Sequence, residues 1–342
     1  MRLCIGTAKG IVMLEPERGP TPVMVLADPC SVWCMAQDCA NRNLLYAGSI
    51  HNTQAGSARG KGSLARSIDG GRSWNDITPR MAHDEEVWAI ATAPDGPDEV
   101  FVGTSHARLF RSEDGGRNFK ECAGFLNLPG RDQWTFPPPP HIPHVRAVAF
   151  DPHTPDTLYV GVEEGGIFRS SDRGESFAPL NHGLYSDVHC IAVDSEDPRR
   201  IYATTGHGLY VSANGGASWR YIRGLSRTYT IPLMVCDGVD GPIFTAAAGG
   251  PPPIWSMGAM GADAMMFRSH DRGHSFQPIA SNDGSAHPTR GMAMRFLRTP
   301  ADGTTFFAAL SDGTIVKIDS REDSVTTIAD KLPPAFDMVA LL

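Results

Sequence analysis

Short runs of alternating apolar and polar residues recur along the whole chain. One unit holds Val87-Trp88-Ala89-Ile90-Ala91, Val100-Phe101-Val102-Gly103-Thr104, Leu109-Phe110-Arg111-Ser112 and Phe119-Lys120-Glu121-Cys122. Alternation with a period of two is typical of β-strands. The pattern predicts consecutive four-stranded sheets, whose strands are called A to D in chain order. The same order begins again near Val32, Val145, Val188, Ile231 and Thr289, which makes six units.

A short motif lies between strands C and D of five units. Each copy reads Ser-x-Asp-x-Gly-x-x-aromatic, as in Ser67–Trp74, except that Asn214 replaces the acid in the fourth copy. The positions 69, 114, 172, 214 and 271 are 45, 58, 42 and 57 residues apart, and spacings of ~40–45 residues are those of propeller blades. Asp and Asn side chains accept hydrogen bonds from downstream N–H groups, and glycine supplies positive φ. The motif therefore predicts a tight turn rather than a catalytic acid.

The five copies resemble the Asp-box, or BNR repeat, of sialidase-like β-propeller proteins. This resemblance implies a propeller but no single activity, because the box occurs in sialidases, xyloglucan-degrading endoglucanases, sortilin-type receptors and non-enzymatic assembly factors. Sialidases have six blades and an arginine clamp, and the nearest match to their first motif, Thr230-Ile231-Pro232, lacks the arginine. The xyloglucan-degrading enzymes use a cleft between two propellers, and this chain has room for one.

A seventh unit is split between the two ends of the chain. B-, C- and D-like strands lie at Arg2–Thr7, Ile11–Leu14 and Pro22–Leu26, and an A-like strand lies at Phe336–Leu341. Pairing the last strand with the first closes the ring and removes free sheet edges. The sequence thus predicts an all-β, seven-bladed β-propeller of four-stranded antiparallel blades, closed by the C-terminal strand, with residues 1–342 forming a single domain.

Composition and charge narrow the expected partners. The formal net charge is -8 and the sequence pI is about 5.8, which argues against a nucleic-acid-binding protein. The sequence has no run of about 18 apolar residues, so we expect no membrane span and a cytoplasmic location. The seven cysteines are then expected to be reduced thiols.

The candidate functional residues lie on the face of the propeller that carries the D-to-A and B-to-C loops. This face is called the mouth. Aligning the A strands puts the following residues at one equivalent position near the mouth: Trp33, Trp88, Arg146, His189, Pro232, Arg290 and Asp337. We predict His189 as a general acid or base and Arg146 with Arg290 as clamps for an anionic substrate. Glu164 of a B-to-C loop is a further candidate base or ligand.

Six of the twelve histidines map near the mouth. Neutral imidazole suits Zn, Mn, Fe or Ni, so the sequence suggests one divalent metal ion that polarises a substrate or a bound water. The predicted ligands are His51, His106, His144 and His207. Glycine-rich segments fall in the box turns rather than before helices, so no nucleotide cofactor is expected.

Three insertions also reach the mouth: residues 49–64, the segment before His144, and the loop around Gly249–Trp255. Loops of this length are usually functional or disordered. Tryptophans near this face suit the stacking of substrate rings, and the candidates are Trp33, Trp88, Trp134 and Trp255.

Three functional interpretations follow. The preferred one is a hydrolase or lyase, with or without a metal, acting on a small polar or anionic substrate. The second is a non-catalytic protein-interaction propeller. The third is a glycan-active glycoside hydrolase, which needs two nearby carboxyl groups, and Glu164 with Asp187 or Asp312 is the candidate pair.

Overall fold

The chain folds into a ring of four-stranded antiparallel sheets. The computed structural model describes residues 1–19, 21–28, 31–50, 62–79, 85–238, 241–257, 259–280, 286, 288–299, 303–320 and 324–341. Within these ranges there are seven sheets, each with four strands in sequential order except at the chain ends. The innermost strand of each sheet contacts the innermost strands of its two neighbours, which closes the circle. The predicted seven-bladed propeller is confirmed.

The A strands lie innermost and the B strands follow them in each blade. The A strands are β4 (Val32–Gln37), β8 (Val87–Thr92), β12 (Val145–Phe150), β16 (Val188–Val193), β20 (Tyr229–Val235), β24 (Ala293–Arg298) and β28 (Ala335–Leu341). The B strands are β1 (Arg2–Thr7), β5 (Leu45–Ser49), β9 (Val100–Thr104), β13 (Leu158–Val162), β17 (Ile201–Thr205), β21 (Ile243–Ala248) and β25 (Thr305–Leu310).

The C and D strands complete each blade towards the rim. The C strands are β2 (Gly10–Leu14), β6 (Leu64–Ser67), β10 (Arg108–Ser112), β14 (Gly166–Ser170), β18 (Gly208–Ser212), β22 (Met265–Ser269) and β26 (Ile315–Asp319). The D strands are β3 (Val23–Leu26), β7 (Asn75–Asp76), β11 (Lys120–Glu121), β15 (Ala178–Pro179), β19 (Arg220–Tyr221), β23 (Gln277–Pro278) and β27 (Ser324–Ala329).

Blade 1 is the split blade, and blades 2 to 7 follow in chain order. Its strands run β28, β1, β2, β3, with Cys4 paired to Val339 and Ile5 to Met338. The C-terminal strand therefore covers the edge of the N-terminal strand, as predicted. The other regular elements described are the short helices α1 (Ala123–Leu126) and α2 (Pro252–Trp255) and a 3-10 turn at Arg131–Gln133. Within the described residues, no helix has the length and apolar character needed to cross a membrane.

Every A strand carries a β-bulge near its mouth end. In blade 2, Val32 pairs with Ser49 and Cys34 with Gly48, so Trp33 is left without a partner across the ladder. A bulge adds one residue to one strand and re-aims its side chain. The bulged positions are Trp33, Trp88, Arg146, His189, Ile231 with Pro232, Met294 and Phe336.

This register corrects two of the sequence alignments. The blade 7 A strand begins at Ala293 and not near Thr289, so Met294 replaces Arg290 at the equivalent position. In blade 1, Phe336 occupies the bulge and Asp337 pairs with Gly6. The loop before β24 is longer than the sequence alignment assumed. In blade 1 the bulge falls at Phe336, one residue before Asp337, which the alignment had placed at this position.

The predicted turn geometry of the repeated motif is present. In the first copy the Ser67 hydroxyl donates to Asp69 at 2.8 Å, and Asp69 accepts from the Ser73 N–H at 2.9 Å. Gly71 has φ 81° and donates its N–H to Ser67. Trp74 then packs in a core shared by blades 1 and 2. The other copies repeat the Ser-to-acid or Ser-to-Asn bond.

Candidate functional site

Two strands, one of blade 4 and one of blade 5, bring acidic and imidazole groups together at the mouth. Glu163 and Glu164 follow β13, Asp187 precedes β16, and His189 is the bulged residue of β16. Residues after the B strand of one blade lie against the A strand of the next, because β13 packs on β16. The ring geometry thus joins residues from two blades in one cluster, the mouth cluster: Glu163, Glu164, Asp187 and His189.

Glu163 is buried and held by two basic groups. Its Oε2 lies 2.8 Å from His144 Nε2 and 3.3 Å from Arg146 Nε. Burial alone raises the pKa of the Glu163 carboxyl, but His144, His189 and Arg146 together outweigh burial and hold the pKa below its usual range. Glu163 is therefore an ionised carboxylate fixed by its neighbours.

Asp187 and His189 form the second contact of the cluster. His189 Nε2 lies 3.2 Å from Asp187 Oδ1, and its Nδ1 lies 2.5 Å from the carbonyl oxygen of Thr230. A carbonyl oxygen only accepts, so Nδ1 carries a proton and donates it. Burial lowers the pKa of His189, but the Asp187 and Glu163 carboxylates outweigh burial and raise it above its ordinary value.

Glu164 differs from its neighbour Glu163 in exposure and in charge environment. It is half-buried, with a left-handed φ of 56°, and Ser186 Oγ donates to its Oε2 at 3.3 Å. Burial raises the pKa of Glu164, and the nearby Asp187 and Glu163 charges raise it further. Of the two predicted partners, Asp187 lies beside Glu164, whereas Asp312 is an exposed residue of the blade 7 B-to-C turn. The pKa values of the adjacent residues Glu163 and Glu164 are shifted in opposite directions, which is typical of acid–base sites.

An aromatic cluster adjoins these carboxylates at the mouth end of the channel. Trp33 lies 5.2 Å from Trp88 and 4.8 Å from Phe336, measured between ring centroids. The Arg146 guanidinium lies over Trp33 at 4.9 Å, and Trp88 stacks on His144 at 3.8 Å. These rings pack on one another and on Arg146, and Trp33 and Trp88 also line the central cavity.

A cavity of about 660 Å³ lies along the inner strands behind this cluster. It runs from Trp33, Arg146 and His189 to Asp38 and Arg42, which lie past the end of β4 on the opposite face. His189 and Arg146 thus separate the central channel from the carboxylates at the mouth.

Of the remaining predicted residues, Trp134 and Trp255 border the mouth cluster. A Cβ added to Gly165, next to Glu164, would lie 3.1 Å from Trp134 Cγ, and the Trp255 ring lies 6.3 Å from that of Tyr229, which packs on His189. Trp134 packs on Phe125 and Phe168. Trp255 Nε1 donates to the carbonyl of Gly250. Arg290 is exposed and donates to the carbonyl of Ala259.

The four predicted metal ligands do not assemble in the part of the chain that the structure describes. His106 and His207 are exposed in the B-to-C turns of blades 3 and 5, and His144 is buried beside Glu163. His51 lies outside the described residues. The described group that could hold an ion is instead Glu163, Asp187 and His189, whose ligand atoms lie within 4.8 Å of one another.

Two tyrosines near the cluster were missed by the sequence analysis. Tyr185 is 41% exposed, and its pKa is raised by partial burial and by the charges of Glu164 and Asp187. Tyr229 is more buried and lies 4.9 Å from the His189 ring, centroid to centroid. Their positions in the sequence could have indicated both residues, because Tyr185 lies two residues before Asp187 and Tyr229 begins an A strand.

The fold and the cluster define a β-propeller with an acidic site at its mouth. No family model matches the chain. A xyloglucanase of Hypocrea jecorina (strain QM6a) is 25% identical over 240 residues, which cover 57% of this chain and 27% of that protein. A Paenibacillus sp xyloglucanase is 27% identical over 226 residues, covering 53% of this chain and 21% of that protein. The chain thus spans about a quarter of the length of these curated relatives.

Solved structures extend the similarity to the whole ring. A Niastella koreensis GH74 enzyme superposes with a TM-score of 0.70 at 15% identity, covering 97% of this chain and 52% of that chain. A structure described as YCF48 bound to D1 peptide has a TM-score of 0.56 at 14% identity, covering 87% and 80%. The named sequence relatives are xyloglucanases, enzymes of the class that the third interpretation considered, and not small-molecule hydrolases or lyases.

Proposed function

We propose that the protein is a glycan-active hydrolase that cleaves a glycosidic bond at the mouth of the propeller. The observation that carries this proposal is the carboxyl pair of Glu164 and Asp187. One member is half-exposed with a raised pKa, and the other is buried beside His189. Glycoside hydrolysis uses two neighbouring carboxyl groups, one of which donates a proton to the leaving sugar.

In this proposal Glu164 protonates the oxygen of the leaving sugar. Its raised pKa keeps a larger fraction of the carboxyl protonated near neutral pH than an ordinary glutamate has. Asp187 supplies negative charge against the positive charge that develops on the sugar ring. A water molecule adds to the anomeric carbon of that ring and gives up the proton that restores Glu164. Tyr185, exposed beside the pair, offers an apolar ring face for a sugar unit.

The xyloglucanase relatives make xyloglucan and its oligosaccharides the first substrates to test. Reducing-end release is measured for wild type, Glu164→Gln and the control Glu196→Gln. Glu196 is exposed after the blade 5 A strand, on the opposite face. We expect Glu164→Gln to lower the rate by roughly 10²- to 10⁴-fold and Glu196→Gln to leave it unchanged. Equal activity of the folded Glu164→Gln variant contradicts the assignment.

The protein-interaction alternative makes a different prediction for the same panel. A non-catalytic propeller releases no reducing ends from any glycan, whichever residue is changed. The likeness to the YCF48 structure concerns the fold, and a propeller fold does not select a function.

A further inference from the structure

Three side chains of the mouth cluster have the composition of a metal site. Glu163, Asp187 and His189 each offer one ligand atom, and these atoms lie within 4.8 Å of one another. All three residues are buried, with 7%, 7% and 4% of their surface exposed. They come from two blades, so the ring itself holds them in place.

A second observation concerns the buried nitrogen of His189. The Nε2 atom and Asp187 Oδ1 have no hydrogen-bond partner of acceptable geometry, although the His189 side chain is only 1% exposed. Because Nδ1 donates its proton to the Thr230 carbonyl, Nε2 of the neutral ring presents a lone pair to the carboxylates. A lone pair 3.2 Å from a carboxylate oxygen requires a positive charge between them, either a proton on Nε2 or a metal ion.

The contact to Thr230 also resembles the surroundings of known ligating histidines. A metal-bound imidazole usually donates its other N–H to a backbone carbonyl or carboxylate, which fixes the ring and its tautomer. His189 has this arrangement, with Nδ1 on the Thr230 carbonyl and Nε2 towards Asp187. Glu163 is likewise oriented by His144 at 2.8 Å.

We propose that Glu163, Asp187 and His189 bind one divalent transition-metal ion, with Zn²⁺ or Mn²⁺ as the best fit. Mixed carboxylate and imidazole ligands suit these ions, whereas Ca²⁺ and Mg²⁺ prefer oxygen alone. Ligand bonds of about 2.0–2.2 Å place two ligand atoms at most about 4.4 Å apart, which is close to the 4.8 Å within which these three atoms lie. The negative charges of the two carboxylates balance the charge of the ion, whereas the positive charge of Arg146, 3.3 Å from Glu163, disfavours its binding. This site differs from the predicted set of His51, His106, His144 and His207.

The test measures metal binding without any sugar. Asp187 belongs to both proposals, and an ion held there would neutralise the charge that the hydrolysis assigns to it, so metal uptake and reducing-end release are measured separately. Protein treated with a chelator and desalted is titrated with ZnCl₂ and with MnCl₂ by calorimetry. We expect one equivalent to bind with wild type and the affinity to fall at least about tenfold in His189→Gln and in Glu163→Gln. The controls His106→Gln and His207→Gln change exposed histidines and should bind as wild type does.

Two outcomes overturn the proposal. The first is no saturable uptake of either ion by folded wild-type protein, which means that a proton on His189 balances the carboxylates. The second is uptake that survives in His189→Gln and Glu163→Gln but is lost in His106→Gln or His207→Gln. If His189→Gln does not fold, Asp187→Asn replaces it in the same comparison.

Discussion

At the scale of single residues, the acid of each repeated turn stabilises the fold through its own hydrogen bonds. Asp69 has its pKa lowered to about 2, chiefly by the Ser73 hydroxyl and then by the Ser73 N–H. The ionised form therefore contributes stability above the ordinary Asp pKa of about 3.9. That contribution is lost as the pH falls towards 2.

Replacing Asp69 by Asn should retain the turn and remove its response to acid. Asn214 already forms this turn in the fourth copy, where its Oδ1 accepts a hydrogen bond from the Ser218 N–H at 2.9 Å. We expect Asp69→Asn to change stability little at pH 7, and Asp69→Ala to lose roughly 0.5–2 kcal/mol. Thermal unfolding at pH 7 and pH 3 measures both. A loss in Asp69→Asn at pH 7 as large as in Asp69→Ala would contradict the turn explanation.

At the scale of elements, each B strand approaches the A strand of the next blade closely. A Cβ on Gly103 of β9 would lie 2.3 Å from Val145 Cγ1 of β12, and Gly48 and Gly161 meet the valines of their next blades in the same way. Glycine is required at these positions because the contact between blades leaves no room for a Cβ atom, and not because the backbone has a positive φ.

Gly103→Ala should therefore destabilise the protein by roughly 1–3 kcal/mol, as overpacking does. The matched control is Gly249→Ala, where the nearest atom to an added Cβ is Asp263 Oδ2 at 3.5 Å and φ is not left-handed. The control should be neutral or gain up to about 1 kcal/mol, because alanine restricts the unfolded chain. Chemical denaturation measures both variants, and equal stabilities would contradict the close-packing argument.

The same elements show which features the sequence could predict. The turn motif was predicted because turn residues are a local property, and the split blade was predicted because closing the ring removes free sheet edges. The start of β24 at Ala293 instead of Thr289 was not predicted, because that blade lacks the motif that marks blades 2 to 6. The offset between Phe336 and Asp337 depends on a bulge, and alternation alone does not locate a bulge.

At the scale of the whole molecule, the ring decides which candidate residues meet. Glu163 and His189 are distant in sequence and adjacent in space, because the end of one blade's B strand lies against the next A strand. Sequence placed Glu164, His144 and His189 at the mouth, but it could not select neighbours among seven blades. His106 and His207 lie in the equivalent B-to-C turns of blades 3 and 5, where both are exposed. Because they belong to different blades, they do not meet.

The two faces of the ring consequently have different chemistry. The mouth carries the carboxylates and Tyr185, whereas the cavity of about 660 Å³ runs towards Asp38 and Arg42 on the other face. The proposed hydrolysis belongs to the mouth, where Glu164 and Asp187 lie together.

The most direct measurement is a crystal structure of Glu164→Gln with a xyloglucan oligosaccharide. The substitution removes the proposed proton donor, so an intact substrate should remain bound. We expect a glycosidic oxygen within hydrogen-bond distance of residue 164 and a sugar ring against Tyr185. An oligosaccharide bound in the central cavity, or binding that leaves residues 164 and 187 without contact, would contradict a glycan-hydrolysing site at the mouth.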